Sequence, residues 1–219
     1  MVYDYRYMAA AERHRQMLAD AEDFRRARQG RPGWLRRGRR PARRPAGDGR
    51  PAVLRDGSEV LTGPVGPADA PLLADGFARL SARSRQLRFL GPKKRLTPAE
   101  LRYLTEIDHH DHEALGAVDR ASGRGVGVAR YVRSAGDAAV AEIAVTVVDE
   151  WQCRGLGTEL LAQLAQRARE EGICRFTALV GAGNVAMTML VRTTGGYLVQ
   201  RDSATLLYEI PLAPWEVLS

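Results

Sequence analysis

The chain has 219 residues, which is long enough for one domain with a substantial core, or for one domain and an appendage. It contains no apolar run of about 18 residues, so we expect no transmembrane helix, and its N-terminus lacks the apolar core of a secretory signal. Two cysteines, Cys153 and Cys174, are too few for a disulfide framework, and we therefore expect a reduced, cytoplasmic setting.

The net charge of +7 belongs to the beginning of the chain. Residues 1–50 hold 14 arginines and six acidic residues, whereas residues 51–219 hold 19 basic and 20 acidic residues. We therefore expect a basic N-terminal region at 1–50 and a folded domain at 51–219. A basic segment of this kind attracts anionic partners such as nucleic acid, anionic membrane or acidic protein surfaces, and here we expect such binding to be weak.

Two parts are predicted within the basic region. Apolar residues spaced by three and four predict a short helix at 5–28. Residues 29–50, QGRPGWLRRGRRPARRPAGDGR, are rich in Arg, Pro and Gly and have too little apolar surface to offset the entropy of ordering the chain. This composition predicts a disordered linker.

Strand and helix patterns alternate from Pro51 onward. PAVLRDGSEVLTGPV predicts two strands around an Asp56-Gly57 turn. ADAPLLADGFARLSARSRQLRF predicts a pair of helices, and TPAELRYLTEI predicts a helix with Thr97 as its cap and Pro98 at its first position. HEALGAVDRASGRGVGVARYVR then predicts two strands around a Ser-Gly turn.

The second half of the domain continues the alternation. AVAEIAVTVV predicts a strand buried on both faces, and the next helix, ending near Gly172, carries an apolar stripe. CRFTALV predicts a strand, NVAMTMLVRTT a short helix, and YLVQRD with ATLLYEI a closing hairpin. The order predicts a mixed α/β domain around one sheet. The apolar stripe consists of Leu156, Leu160, Leu161, Leu164, Ala165 and Ala168.

The segment QCRGLGTELL stands at a strand-to-helix junction. Gly155 and Gly157 leave room for a ligand, and the backbone N–H groups of a helix N-terminus favour phosphate. A P-loop is excluded because Gly-Lys-Ser/Thr is absent, and a Rossmann fingerprint is excluded because Leu160 stands where a third glycine is needed. A coenzyme A pyrophosphate loop and a plain glycine turn remain as the two interpretations.

A family resemblance favours the first of these. VVDEWQCRGLGTELL resembles the Q/R-x-x-G-x-G/A acetyl-CoA motif of the GNAT superfamily of N-acetyltransferases. Asn184 and the step GGYLVQ resemble later landmarks of the same family. RSRQLRF, LTPAELRYLTEIDHHDHEALGAVD and GVGVARYVR resemble its actinobacterial protein-lysine acetyltransferase group. The resemblance covers about residues 51–211.

The resemblance implies a fold and a co-substrate. It implies the α/β GNAT fold, with a mixed central sheet of six to seven strands that splays at the acetyl-CoA site, flanked by about four helices. It also implies acetyl-CoA as co-substrate and no metal, with Arg192 reaching the adenosine end. The residues implied to bind acetyl-CoA are Ala144, Val145, Thr146, Gln152, Cys153, Arg154, Gly155, Leu156, Gly157, Thr158, Asn184 and Arg192.

Glu142 is the candidate catalytic residue. A lysine amine has a pKa of about 10.4, so it is protonated at neutral pH and needs a general base before it can attack a thioester. The segment AEIAV resembles the strand that carries the catalytic glutamate of the protein-acetylating branch. An apolar setting there would raise the pKa of Glu142 towards a useful value. The alternative is a solvent-facing glutamate on a half-exposed strand.

Other candidates are less specific. DHHDHE, with His109, His110 and His112, has the composition of a metal site, but a polar loop is the preferred interpretation, and His109 or His112 could line the acceptor cleft. Tyr103 and Tyr131 are either acceptor-side residues or packing residues.

One position departs from the family pattern. Many members place a proton-donating tyrosine where this chain has Val191, so another group or solvent must protonate the leaving thiolate.

Three functional classes follow from these residues. The first is an N-acetyltransferase that acetylates protein lysine side chains by direct transfer. The second is a GNAT enzyme acting on a small amine, such as an aminoglycoside, a polyamine or an amino acid. The third is a non-enzymatic module that binds acyl-CoA or docks on nucleic acid, which the intact glycine loop argues against.

Overall fold

The computed structural model describes residues 49–212. The predicted helix at 5–28 and nearly all of the predicted linker at 29–50 lie outside the described residues. Within 49–212 the chain forms one mixed sheet of eight strands with five α-helices. The expected α/β fold is confirmed, with slightly more elements than the six to seven strands and about four helices that the resemblance implied.

The elements follow the predicted order. They are β1 (Arg50–Val53), β2 (Glu59–Pro64), α1 (Ala70–Arg79), α2 (Ala82–Phe89), α3 (Pro98–Thr105), β3 (His112–Asp119), β4 (Gly125–Arg133), β5 (Val140–Val147), α4 (Leu156–Glu170), β6 (Arg175–Gly181), α5 (Val185–Thr193), β7 (Tyr197–Arg201) and β8 (Thr205–Pro211). The sheet order is β1-β2-β3-β4-β5-β6-β8-β7. The short strand β1 widens the sheet because it pairs antiparallel with β2 at the edge.

Helix α4 covers one face of the sheet. It packs against β3, β4 and β5, and its buried residues are the six that form the predicted apolar stripe. They join Tyr131, Ile143 and Phe176 in one core cluster, in which the rings of Tyr131 and Phe176 lie 6.0 Å apart between centroids. This core fixes the position of β5, the strand that carries Glu142.

Strands β5 and β6 run parallel and then separate. Their ladder joins Val140 to Arg175, Ala141 to Phe176 and Glu142 to Thr177, and in the described residues it ends there. Strand β5 remains paired with β4 as far as Val147, so only its β6 side opens. The backbone groups of 143–146 on that side are no longer paired with β6, and the expected splay of the sheet is confirmed.

The apolar sequence of β5 predicted burial on both faces, and this prediction is wrong. Ala141 and Ile143 are buried against the core, but Glu142 is exposed and residues 144–147 are only half-buried. The reason is the separation from β6, together with partial cover by α2, which contacts β5 and β6. One face of this apolar strand is therefore closed against the core, and the other is open.

Candidate active site

Glu142 stands at the point where β5 and β6 separate. Successive side chains of a strand alternate between faces, so Glu142 points away from the core that receives Ala141 and Ile143, and towards α2. Its side chain is exposed and interacts electrostatically with Arg88. The apolar setting expected from the sequence is therefore wrong. What distinguishes Glu142 is its place at the opening of the sheet.

Arg88 links α2 to the open part of β5. Its Nε donates a hydrogen bond to Oγ1 of Thr146 at 2.9 Å. Burial lowers the pKa of Arg88, and the charges of Glu142 and Tyr103 oppose that shift. Sequence reasoning did not identify Arg88 as a site residue, because the segment RSRQLRF entered only as part of the family resemblance.

Hydrogen bonds to Asp149 hold the start of α2. The Asp149 carboxylate accepts hydrogen bonds from the backbone N–H of Ser81 at 2.9 Å, and from the hydroxyls of Ser81 and Ser84, each at 2.7 Å. Burial raises the pKa of Asp149, but these hydrogen bonds outweigh it and hold the pKa below its ordinary value. Helix α2 is thus attached to the turn after β5 at its start, and to β5 itself through Arg88 near its end.

A row of side chains crosses the sheet at Glu142. His112, Val132, Glu142 and Thr177 lie in register on β3, β4, β5 and β6. Adjacent strands are about 4.8 Å apart, so the backbone of His112 is about 10 Å from that of Glu142. His112 is buried, with Nε2 3.2 Å from Nη1 of Arg130. His112 therefore shares the face of Glu142, but at a separation that does not allow direct proton exchange.

The other two histidines are held in a polar network. His109 Nδ1 lies 2.8 Å from Oε1 of Glu113, a carboxylate that is only 2% exposed and also lies 3.5 Å from Nε of Arg167 on α4. The hydrogen bond that His109 donates to Glu113 raises the pKa of His109 above its ordinary value. His110 bonds Glu171. The preferred interpretation of DHHDHE, a polar loop before a strand, agrees with these contacts.

The loop at 152–158 has the backbone conformation of an anion site. Gly155 has φ +92° and stands at the N-cap of α4, where the left-handed conformation favours glycine. Cys153 also has positive φ, at 62°, which is uncommon for a residue with a side chain and concentrates at functional sites. Left-handed residues build backbone anion nests, and the first turn of α4 adds N–H groups that lack intrahelical acceptors.

Most side chains of this loop serve the loop itself. Gln152 donates from Nε2 to the carbonyl of Val147 at 3.1 Å, which ties the loop to the end of β5. Leu156 is 1% exposed and lies in the core, so only its backbone can reach a ligand. Cys153 is exposed, and Thr158 lies in the first turn of α4. The backbone is therefore the main donor surface.

Arg154 is held by four neighbours. Its guanidinium donates to the carbonyl of Glu150 at 2.7 Å and to Oγ of Ser58 at 3.1 Å, and it pairs with Asp56 at 3.0 Å. It also lies over the ring of Trp151, 4.8 Å from the centroid. The charge of Arg154 thus secures the loop against the β1–β2 turn.

Gly157 lies where α4, α5 and β5 converge. A Cβ at this position would meet Leu190 at 3.4 Å and Val145 at 3.8 Å, which are ordinary contact distances. A larger side chain would extend beyond these neighbours, beside the open stretch of β5. Ala144, Val145 and Thr146 form that stretch, so the structure brings the predicted strand and loop residues together.

The predicted residues on α5 are spread along the helix. Asn184 is its N-cap, with Oδ1 accepting from the N–H of Met187 at 3.0 Å. Arg192 is exposed in the last turn, about 12 Å further along the axis. Val191 is fully buried in the core, so no proton donor stands at that position.

The described residues hold neither a metal-binding cluster nor a membrane-spanning helix. Residues 49–212 contain no group of three or more His, Cys, Asp or Glu side chains arranged to hold a metal ion. In that same part of the chain, no helix has both the length and the apolar character needed to cross a membrane.

Comparison with known proteins finds a family model and relatives that agree with each other. The model of the acetyltransferase (GNAT) family matches residues 82–195. The acetyltransferase Pat of Mycolicibacterium smegmatis is 36% identical over 118 residues, which are 54% of this chain and 35% of that relative. The chain therefore spans about a third of the length of this relative.

Solved structures agree in fold. The GNAT domain of PAT from S. lividans has a TM-score of 0.71 and 31% identity, and covers 77% of this chain and 99% of that domain. An acetyltransferase from Salmonella typhimurium, solved with its cofactor acetyl-CoA, has a TM-score of 0.59, covering 72% of this chain and 96% of that one. Its 19% identity makes this a likeness of fold alone.

The family match runs from α2 to the end of α5. It therefore includes Arg88, the whole of β5 with Glu142, the loop at 152–158, and Asn184. The predicted resemblance to the actinobacterial group is confirmed by the relatives from M. smegmatis and S. lividans. This chain belongs to the GNAT family of acetyltransferases and is an acyltransferase close to the Pat proteins.

Proposed function

We propose that the protein transfers the acetyl group of acetyl-CoA directly to the side-chain amine of protein lysines, with Glu142 as general base. The observation that carries this proposal is the place of Glu142, exposed at the opening between β5 and β6. The acceptor amine can reach the carboxylate from the open face, beside the strand edge that would hold the thioester. The similarity to the Pat acetyltransferases supports protein lysines as the acceptor.

Acetyl-CoA would lie along the open edge of β5. In this proposal the backbone of Ala144, Val145 and Thr146 pairs with the pantetheine amides and the acetyl carbonyl. The loop from Gln152 to Thr158 holds the pyrophosphate through its N–H groups, by the anion-binding geometry of a helix N-terminus. Asn184 fixes the start of α5 beside this path, and Arg192 takes the adenosine end.

The proton balance defines the role of Glu142. A protonated lysine has three N–H protons, and the amide product keeps one. Of the two protons that leave, one ends on the coenzyme A thiol and the other in solvent. Glu142 accepts, directly or through a water, the proton that must leave before the nitrogen attacks the thioester carbon. The new N–C bond forms as the C–S bond breaks.

The leaving thiolate takes its proton from solvent. Val191 is fully buried in the core, so the position that carries a tyrosine in many family members contributes no proton here. A thiol has a pKa of about 8.5, so the thiolate leaves without an obligatory acid. We expect replacement of Val191 to change stability rather than the chemical step.

A small amine remains the second candidate acceptor. The electrostatic partner of Glu142 is Arg88, so a positive charge already stands at the entrance to the base. Polyamines and aminoglycosides carry several positive charges and are disfavoured there, whereas a single lysine on a protein surface is not. We place the reaction in the cytoplasm. We also propose that the basic region at 1–50 binds anionic partners weakly.

The test uses thiol release with defined acceptors. A library of lysine-containing peptides, spermidine and kanamycin are offered with acetyl-CoA, and the best acceptor is used for variants. Glu142→Gln should lower kcat by about 10²–10⁴-fold while the KM for acetyl-CoA barely changes. The acidic limb of the pH profile should disappear, and high pH should partly restore the variant because it supplies free amine.

The matched control is Glu170→Gln, which removes another exposed glutamate at the end of α4. It should retain kcat within about twofold, as surface substitutions generally do. Full kcat and an unchanged pH profile in Glu142→Gln would refute the base assignment. Turnover of spermidine or kanamycin without turnover of any peptide would instead select the small-amine reaction.

A further inference from the structure

The turn between β1 and β2 is attached to the loop at 152–158. The backbone N–H of Arg55 donates to the carbonyl of Arg154 at 3.1 Å. The turn keeps its shape through Asp56, whose carboxylate accepts from the N–H of Ser58 at 3.1 Å and from its hydroxyl at 3.0 Å. This hairpin is distant in sequence from the glycine loop, and no motif assigned it a function.

The side chain of Arg55 runs beside Gly155. A Cβ built on Gly155 would lie 3.3 Å from Cγ of Arg55, and 3.4 Å from both Cδ and Nε. A side chain at position 155 would therefore fit tightly against Arg55 and require it to shift slightly, so glycine here accommodates this arginine as well as its own positive φ. The guanidinium of Arg55 therefore begins beside Gly155, the N-cap residue of α4.

The two arginines at this loop differ in their partners. Arg154 pairs with Asp56 and donates to the carbonyl of Glu150, so its charge is already neutralised within the protein. Arg55 is exposed, and within residues 49–212 it forms no ion pair. Of the two, Arg55 has the guanidinium that can turn to an incoming anion without breaking an existing contact.

We propose that Arg55 is the side chain that binds the pyrophosphate of coenzyme A, and that Arg154 holds the loop in place for it. The proposal rests on the proposed binding of acetyl-CoA at 152–158. A planar guanidinium can donate two parallel hydrogen bonds to phosphate oxygens, and the N–H groups at the start of α4 favour the same anion. The β1–β2 turn is then part of the co-substrate site.

The first test measures affinity, and so needs no acceptor. Isothermal titration calorimetry with acetyl-CoA compares the wild-type chain with Arg55→Gln, Arg55→Lys and Arg169→Gln. We expect Arg55→Gln to bind about tenfold more weakly at low salt, with partial recovery in Arg55→Lys. The difference should shrink in about 0.5 M salt because screening weakens exposed charges. Arg169 is exposed near the far end of α4, and Arg169→Gln should bind as the wild type does.

Two shortened ligands identify the phosphate. Dephospho-coenzyme A keeps the pyrophosphate and lacks the 3′-phosphate, so the tenfold loss in Arg55→Gln should persist. S-acetylpantetheine has no phosphate, and all four proteins should bind it equally. If the loss disappears with dephospho-coenzyme A, Arg55 binds the 3′-phosphate and the pyrophosphate assignment fails.

The outcomes also separate this inference from the proposed function. If the wild type binds acetyl-CoA and Arg55→Gln binds it equally well, the role of Arg55 is refuted while acetyl-CoA binding stands. If the wild type does not bind acetyl-CoA at all, the proposed function fails, and the inference fails with it.

Discussion

The face of the sheet that packs on α4 is closed and largely apolar, whereas the face towards α2 carries charged side chains and is partly open. Tyr131 and Phe176 belong to the first face and lie in one continuous core. Arg88 and Glu142 belong to the second, joined by an electrostatic interaction. Both faces are built from the same strands, because successive residues alternate between them.

This difference separates what stabilises the domain from what could perform its chemistry. Apolar burial at about 25 cal/mol per Å² makes the α4 face the main source of stability. The α2 face bears a cost instead, since burial lowers the pKa of Arg88 and, with the charge of Arg88, that of Arg130. Such groups are retained where a ligand or a reaction uses them, and the rigid α4 face keeps them in place.

The largest expected effect is on the closed face. Leu164 is fully buried on α4, and Leu164→Ala should lower the free energy of unfolding by about 2–5 kcal/mol. Val132 is half-buried beside Glu142, and Val132→Ala should cost less than about 1.5 kcal/mol. Urea denaturation followed by circular dichroism measures both. Equal losses would mean that the two faces contribute alike and that the contrast between them is wrong.

Much of the closed face could be predicted from the sequence. The apolar stripe of α4 repeats with helical spacing, and its six members are the residues that are buried. On the other face, Thr97 was predicted to cap α3, and it does so with a full capping box. Local rules are sufficient there because periodicity and capping depend on residues three or four apart.

The open face could be predicted only in part. The loop at 152–158 was identified as an anion site from its glycines and its place before a helix, and the family resemblance then favoured coenzyme A and pointed to Glu142. The exposure of Glu142 was only the alternative interpretation, because an apolar strand sequence does not reveal where a parallel neighbour diverges. Arg88, Asp149 and Arg55 were missed because their contacts also depend on the tertiary fold. Each acts through a partner distant in the chain: Thr146, Ser81 and Gly155 respectively.

The edge of the closed face also carries charged groups, and His109 provides a pH test there. The hydrogen bond that His109 donates to Glu113 raises the pKa of His109, while burial and Arg167 oppose the rise. A raised pKa stabilises the fold fully below the ordinary value of about 6.5, and this contribution is lost as pH rises through the folded-state value. We expect the loss to be about 1.5 kcal/mol, the lower end of the range for a hydrogen bond to a charged group, because His109 is partly exposed.

Free energies of unfolding at pH 6 and pH 9 measure this loss. Other groups titrate over the same interval, so the comparison is between the wild type and His109→Gln. The variant should be less stable at pH 6 and should lose less stability between the two values. The groups that face His109 are Glu113, Asp108 and Arg167, and the variant leaves all three in place. Parallel pH dependences would show that His109 adds nothing to the closed face.

The smallest expected effect comes from two helix caps, and it separates α2 from α3, which packs on the same face of the sheet through Tyr103 and His112. Ser81 caps α2 and Thr97 caps α3, each by accepting a hydrogen bond from the N–H three residues on. Replacing either by alanine should lower the free energy of unfolding by about 1 kcal/mol. Ser81→Ala also removes the hydroxyl that donates a hydrogen bond to the Asp149 carboxylate. The substitution should therefore loosen α2, the helix that carries Arg88 to its contact with Thr146. We therefore expect Ser81→Ala to lower kcat/KM several-fold, and Thr97→Ala to leave it within about twofold, when both are assayed well below their melting temperatures. Ser81→Thr keeps the hydroxyl and should recover both properties. If the two caps reduce kcat/KM equally, α2 has no larger part in the reaction than α3, and the proposed role of its contact with Thr146 is wrong.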